Sequence, residues 1–310
     1  MIIDFHTHAV DLRIPGKMNR EPVNLEKLIN RLDEENIDKA VLMPVNVSPE
    51  ISQAPLFFSP GSDILSQLEA AAYFSDRLIL FGNLDPRMGC YGNLTKEQIL
   101  TPPITDFSPF LQRFKELGCV GIGEIVANLP LDDLRVINLF QQCGEWDMPV
   151  LFHCTGPGEG VYGLYDEVGL PRLEKLLINA PNTIVVGHAS GFWSEISGNI
   201  TPENKFLYPQ GSLKREGSLQ RLLREYPNLY ADISAISGFN AISRDREYGV
   251  HFLKEFQDRI LFGTDVCFAD EEGKMPHLSF LKNLLSTKQI SKSIFRKITC
   301  DNALTIMKLL

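Results

Sequence analysis

Two of the chain's six histidines stand one residue apart within its first eight positions, in MIIDFHTHAV. On a β-strand side chains alternate between faces, so His6 and His8 point one way and Thr7 the other. Two imidazoles on one face are half of a metal site; two solvated histidines on an edge strand are the plain alternative. Further polar groups end other short apolar runs: Glu124 in CVGIGEI, His153 in PVLFH, His188 in TIVVGH and Asp265 in ILFGTD. Imidazole nitrogen and carboxylate oxygen without thiolate suit a divalent cation, zinc first, with iron, manganese or nickel as alternatives. A catalytic site of this kind keeps a coordination position for water, whose acidity the cation raises.

The elements that must position these groups follow from periodicity. The runs IIDF, KAVLMPV, LILFGNL, CVGIGEI, PVLFH, TIVVGH, NLYADIS and ILFGTD are continuously apolar, as in parallel strands buried on both faces. Between them, helical spacing recurs over 24–35, 62–75, 108–117, 132–146, 171–180, 217–226, 245–257 and 278–286. Asp132 or Asp133 is placed to cap one of these helices, and Pro171 to open another. Strand followed by helix, eight times over, predicts an α/β fold, a (β/α)8 TIM barrel forming one domain over 1–310. Segment 291–310 adds a C-terminal helix. The long irregular segments 9–23, 44–61, 86–106, 155–170, 189–216 and 266–277 each follow a predicted strand, which gathers them at the barrel's C-terminal mouth with His6, His8, Glu124, His153, His188 and Asp265.

HTH on the first strand, single histidines closing PVLFH and TIVVGH, and GTD closing the last strand resemble the amidohydrolase superfamily of metal-dependent barrel enzymes. LFGTD followed by closing helices and DNAL is most similar to its amidohydrolase-related branch, which includes aminocarboxymuconate-semialdehyde decarboxylase. The resemblance runs over residues 1 to about 308. It implies that His6, His8 and Asp265 bind the tighter metal. In one-metal relatives His153 would complete the set and leave His188 as a base or substrate contact. Two-metal relatives often bridge the ions with a carboxylated lysine, where this chain has Glu124. A glutamate there also occurs in TatD-like nucleases and can bridge two ions, so either metal count is open and His188 and Glu124 stand as further ligands.

The implied function is metal-dependent hydrolysis of a small amide, lactone or ester, with Asp265 taking a proton from water and His188 steadying the oxyanion or a second ion. The alternative is nonoxidative decarboxylation of a small carboxylic acid in the same site. Fold cannot separate the two. A nuclease is disfavoured by the net charge of −9, from 39 acidic and 30 basic residues without a basic cluster, so nucleic acid is not an expected partner. A noncatalytic binding barrel would leave gaps among the metal stations, and none is missing.

Six scattered cysteines without a CxxC pair predict reduced thiols, and no apolar stretch approaches the roughly 18 residues of a membrane span. A first strand beginning at Ile2 leaves no room for a leader ahead of it, so a cytoplasmic enzyme with a small-molecule substrate and no membrane partner is expected, its homo-oligomeric state open. Asp232 and Ser234 close a predicted strand and face either the pocket or ordinary strand-end partners. Cys154 is expected to be structural. His251 and His277 are expected to be solvated or capping. In the loops, Tyr162, Tyr165, Phe192 and Trp193 are candidates to wall the substrate, and Arg13, Lys17 and Arg172 to bind a carboxylate.

Overall fold

The computed structural model describes residues 1–9, 23–44, 64–89, 95, 104–158, 161–268 and 275–310. Its strands are β1 (Ile3–Thr7), β2 (Lys39–Leu42), β3 (Leu78–Gly82), β4 (Gly121–Ile125), β5 (Val150–Thr155), β6 (Leu164–Tyr165), β7 (Val185–His188), β8 (Leu229–Asp232) and β9 (Ile260–Leu261). All pair in parallel in the order β1-β2-β3-β4-β5-β7-β8-β9, with β6 on the side of β5. Eight of the nine strands coincide with the apolar runs; the two-residue β6 lies within 155–170, where no strand is expected. The segment after β9 hydrogen-bonds to β1: Phe5 N donates to the Phe262 carbonyl at 2.8 Å and Asp265 N to the His6 carbonyl at 2.8 Å. Thr7 and Val266 also form a parallel bridge.

Strand alternation divides the buried residues into two layers. Val41, Ile79, Phe81, Leu151, Val186 and Leu261 form an inner layer, whereas Leu42, Leu80, Phe152 and Val185 pack outward against the helices, for example against Leu139, Phe140, Leu176 and Leu222. That is the arrangement continuous apolarity requires, with both strand faces out of water. Cys300, Ala303, Ile306 and Met307 join the inner layer beside Val120 and Ile184, which precede β4 and β7. The C-terminal segment thus covers the N-terminal end of the sheet, opposite the histidines. It is a helix over Lys292–Arg296, a π-helical turn over Lys297–Asp301 and a helix over Asn302–Ile306, a more broken course than the single extra helix expected.

The expected helices are present, and side chains define their starts. Asn24 accepts from Lys27 N ahead of Leu25–Glu35, Asp245 accepts from Tyr248 N ahead of Arg246–Glu255, and Pro171 opens Pro171–Asn179. Of the two aspartates considered, Asp133 caps Leu134–Glu145, and Asp132 instead pairs with Arg172 and Lys175. Two helices lie outside the sequence pattern: Ser190–Trp193, inside the segment expected to be irregular, and Ala235–Ser243, directly after β8. The five described cysteines are free thiols, and no described helix is long and apolar enough to cross a membrane.

The segment after β7 is held by a buried ion pair. Lys205 and Glu195 are both almost fully buried, with Nζ 2.6 Å from Oε1, and Lys205 also donates to the Gly191 carbonyl at 3.1 Å. Removing one charge of such a pair leaves the other uncompensated out of water. Lys205→Met is therefore expected to destabilise the protein by about 3–5 kcal/mol, measured as a shift in the urea unfolding midpoint; an unchanged midpoint would contradict the role assigned to the pair.

Candidate active site

Leu151 and Val186 belong to the inner layer, and two residues further on the same face come His153 and His188. In β1 and β4 simple alternation breaks: the register is irregular between Asp4 and Thr7 and between Ile122 and Ile125. Phe5 packs in the inner layer and His6 beside it also turns inward; Glu124 follows Gly123 inward in the same way. Irregular register re-aims a side chain where strict pairing could not.

The six groups expected to converge do so. His6 Nε2 and His8 Nε2 lie 3.0 Å apart. Asp265 Oδ1 is 3.6 Å from His6 Nε2 and 3.2 Å from His8 Nε2, and Asp265 Oδ2 is 3.5 Å from His188 Nε2. Glu124 Oε2 is 3.8 Å from His6 Nε2 and 3.6 Å from His8 Nε2, while its Oε1 faces His188 Nε2 at 3.7 Å and accepts from His153 Nδ1 at 2.7 Å. Glu124 thus faces four histidines, with no arginine or lysine paired to it among the described residues. Among the described residues two triplets bring their donor atoms close enough to hold a metal ion, His6–His8–Asp265 and His6–Glu124–His188. His153 belongs to neither, and its Nδ1 is engaged with Glu124.

The other ring nitrogens are fixed from behind. His8 Nδ1 lies 2.8 Å from the Met43 carbonyl, which can only accept, so the proton of a neutral ring is on Nδ1 and the lone pair is on Nε2. Asp232 Oδ2 accepts from His6 Nδ1 at 2.7 Å, from the Ser234 hydroxyl at 2.5 Å, and faces His188 Nδ1 at 3.1 Å. Burial opposes ionisation of Asp232, but the hydrogen bonds from His188 and His6 hold its carboxyl far below the usual range. Trp193 Nε1 donates to the Asp232 carbonyl at 2.7 Å, and Ser234 N to Asp232 Oδ1 at 3.0 Å. Sequence alone weighed Asp232 and Ser234 evenly against ordinary strand-end residues. The signal that could have favoured them is their i, i+2 spacing at the end of NLYADIS.

Burial disfavours every charge here, and the charges offset one another. Against burial, the neighbouring imidazoles, His153 foremost, bring Glu124 down to about 2, and His6 with His188 and His8 holds Asp265 well below the usual carboxylate range. Burial likewise opposes protonation of His188, yet Asp232 and Asp265 raise it well above its ordinary value. Asp265 adopts a left-handed backbone at φ 57°, which aspartate tolerates better than most residues. Buried Asp4 ties this turn to β1 by accepting from Thr264 N at 2.9 Å and Thr264 Oγ1 at 2.6 Å, and burial pushes its carboxyl up to about 7.

The remaining candidates separate. The Tyr162 ring packs on His153 with centroids 4.8 Å apart, while Phe192 and Trp193 are buried beneath the site. Tyr165 belongs to β6. Arg172 is paired with Asp132 at 2.6 Å and Glu167 at 2.5 Å, so the expectation that it binds a carboxylate is corrected to an internal ion pair. His277 is also corrected: it is wholly buried rather than solvated, its Nε2 donates to the Ala235 carbonyl at 2.8 Å, and burial lowers its pKa to about 4. His251 is exposed, 3.6 Å from Glu255. Cys154 is buried, its thiol pushed up to about 12 by burial. Arg13 and Lys17 lie outside the described residues.

A family model described as amidohydrolase matches residues 110–309, and the chain belongs to that family of enzymes. Among solved structures it is similar to a protein from Acinetobacter baumannii assigned as a 2-pyrone-4,6-dicarboxylic acid hydrolase, at 16% identity and a TM-score of 0.54 over 99% of both chains. It is also similar to 2,6-dihydroxybenzoate decarboxylase from Rhizobium, at 16% identity and a TM-score of 0.54 over 99% of this chain and 98% of that one. For 5-carboxyvanillate decarboxylase from Sphingomonas paucimobilis the values are 10% and 0.54 over 99% and 98%. No curated protein matches the chain. At these identities the structural likeness concerns the fold alone.

Gly263 of the GTD turn passes so close to the site that a Cβ there would lie 2.7 Å from Asp232 Oδ1, 2.9 Å from His6 Cβ and 3.0 Å from Ser234 Cβ. These neighbours are fixed by their hydrogen bonds and cannot yield. Gly263→Ala is expected to cost about 1–3 kcal/mol by overpacking, visible as a lowered Tm; a Tm equal to that of the unaltered protein would contradict the close approach.

Proposed function

We propose that the chain is a metal-dependent hydrolase of a small amide, lactone or ester, built as one closed (β/α)8 barrel over 1–310 with its site at the C-terminal ends of the strands. The observation that carries this reading is a pair of imidazole nitrogens, His6 Nε2 and His8 Nε2, 3.0 Å apart between two carboxylates, while both Nδ1 atoms are engaged with acceptors behind them. Two lone pairs at that separation repel unless a proton or a cation lies between them. His188 Nε2 is buried as well and has no hydrogen-bond partner among the described residues. Together these atoms fit a divalent cation, zinc being the first choice for nitrogen and carboxylate donors. His6, His8 and Asp265 would hold it, with Glu124 and His188 beside them. His6 has a single lone pair facing the pocket and takes part in both triplets, which favours one ion over two.

When bound, the cation supplies Lewis-acid polarisation of a substrate oxygen and acidifies water. The chain's own groups do the rest. Asp265 accepts the proton of the attacking water and passes it to the leaving nitrogen or oxygen as the carbonyl bond breaks. His188, held by Asp232 and Ser234, presents Nε2 as a donor to the oxyanion that forms on the carbonyl oxygen. Tyr162, lying on His153, walls the pocket against water.

A second reading, nonoxidative decarboxylation, is favoured by the likeness to 2,6-dihydroxybenzoate decarboxylase over almost the whole chain. In that case Asp265 takes a proton from water and relays it to the carbon as the bond to the departing CO2 breaks. A panel of lactones, amides and aromatic acids, assayed for acid release and for CO2, separates the readings; turnover on neither class, with metal bound, would sink both.

Three variants test the roles. Asp265→Asn, which keeps a residue tolerant of the left-handed backbone, is expected to retain the fold and lose about 10²–10⁴ in kcat. His188→Asn is expected to lower kcat while the metal, measured by atomic emission, stays bound; metal lost in step with activity would make His188 an essential ligand and end the one-ion assignment. Asp232→Asn frees two imidazoles from their orienting carboxylate and is expected to weaken metal affinity about 10–100-fold, as read by competition with a chromophoric chelator.

A further inference from the structure

Trp193, whose Nε1 bonds the Asp232 carbonyl, also lines a narrow cavity shared by the helices Ser190–Trp193 and Ala235–Ser243. It offers about 10 Å³ to the centre of a water-sized group and is lined also by the exposed Leu207 and Tyr208. Four polar atoms buried along it have no hydrogen-bond partner among the described residues: Ser194 Oγ, Ser237 Oγ, and Nε and Nη2 of Arg244. Ser194 and Ser237 are 2% and 4% exposed. Buried polar atoms are nearly always partnered, so four orphans around one space mark a place for a ligand.

Their chemistry narrows the ligand. Nε and Nη2 form the side edge of the guanidinium, the edge that pairs with the two oxygens of a carboxylate. Both serine hydroxyls can add a donated hydrogen bond. Among the described residues no carboxylate forms an ion pair with Arg244, and the adjacent Asp245 is occupied in accepting from Leu213 N and Tyr248 N. Burial lowers the pKa of Arg244, and the adjacent Asp245 only opposes that shift without bonding the guanidinium. A water molecule would serve the hydroxyls, whereas a carboxylate accepts from the hydroxyls and from both guanidinium N–H groups at once.

We propose that the cavity bounded by Ser194, Ser237 and Arg244 binds a carboxylate group. Only its oxygens need enter; the rest of the ligand lies beside Tyr208. Two sources share this chemistry. One is a carboxylate of the substrate, an assignment that rests on the histidine centre being the active site, since Trp193 joins cavity and centre through its bond to the Asp232 carbonyl. The other is a free small carboxylate that acts through the same wall.

The test uses the purified full-length protein with its metal, titrated by calorimetry with sodium formate, and with sodium chloride and formamide as the charge and shape controls. Formate is expected to bind and the controls not. Arg244→Gln should weaken formate at least 10-fold, Arg244→Lys should weaken it less because it keeps charge without the fork, and Ser237→Ala should cause a smaller loss. Formate binding absent from the unaltered protein, or equal in Arg244→Gln with circular dichroism and metal content unchanged, overturns the proposal. A formate-soaked crystal with only water between Ser194 and Arg244 does the same. If Arg244→Gln raises KM only for panel substrates carrying a second carboxylate, the substrate is the source; if it leaves every KM unchanged while abolishing formate binding, a free carboxylate is. Should the panel show no turnover at all while formate binding still depends on Arg244, the enzymatic reading fails and the carboxylate site stands.

Discussion

Asp232 holds two imidazoles at once. Its Oδ2 accepts from His6 and lies within reach of His188, with Ser234 as a third donor, so one buried carboxylate sets the orientation of rings supplied by β1 and β7. An ionised carboxylate out of water is costly unless each lone pair is used, and here the used lone pairs leave the opposite ring nitrogens facing one space. Everything else in the centre follows from that requirement. His8 is oriented in the same manner by the Met43 carbonyl, and Asp265 and Glu124 supply the negative charge that the converging nitrogens need.

The fold serves this constraint at places where ordinary strand geometry would not. Irregular register in β1 and β4 brings His6 and Glu124 inward next to residues that already face inward. Asp265 sits in a left-handed turn that is tied to β1 by Asp4 and admits only glycine at position 263. Trp193 closes the rear of Asp232 from a helix that is itself held down by the Lys205–Glu195 pair. The strain and buried charge are gathered at one end of the sheet, while its other end is filled by Cys300, Ala303, Ile306 and Met307 as plain packing. Local cost concentrated beside the chemistry is what functional sites in stable scaffolds show.

The same donor set fits both proposed chemistries. Water attack on a carbonyl and protonation of a carbon losing CO2 both need a polarised oxygen and a carboxylate that relays one proton, the role proposed for Asp265. Solved structures of a hydrolase and of a decarboxylase share this fold, so the fold by itself does not choose between the two. Selection between them would lie with the groups that meet the rest of the substrate, and the proposed carboxylate site at Arg244 is a candidate for that role.

Much of this was legible in one dimension. Continuous apolar runs located eight strands because parallel strands buried on both faces leave no polar position except at their ends, and those ends carried His6, His8, Glu124, His153, His188 and Asp265. HTH and GTD named the chemistry because few residue sets place imidazoles and carboxylate so regularly. Asp232, Ser234 and Met43 were not legible in that way: an orienting carboxylate has the composition of any strand end, and a backbone carbonyl has no sequence signature. His277 reads as a solvated or capping residue and Arg172 as a free carboxylate binder because their partners, Ala235 and Asp132, are distant in sequence. Pattern determined which residues end the strands and what chemistry they hold. Only the packed chain decided which nitrogen of each ring faces inward and which buried charges are left unpaired, since those depend on distances between residues more than 200 positions apart, such as His6 and Asp232.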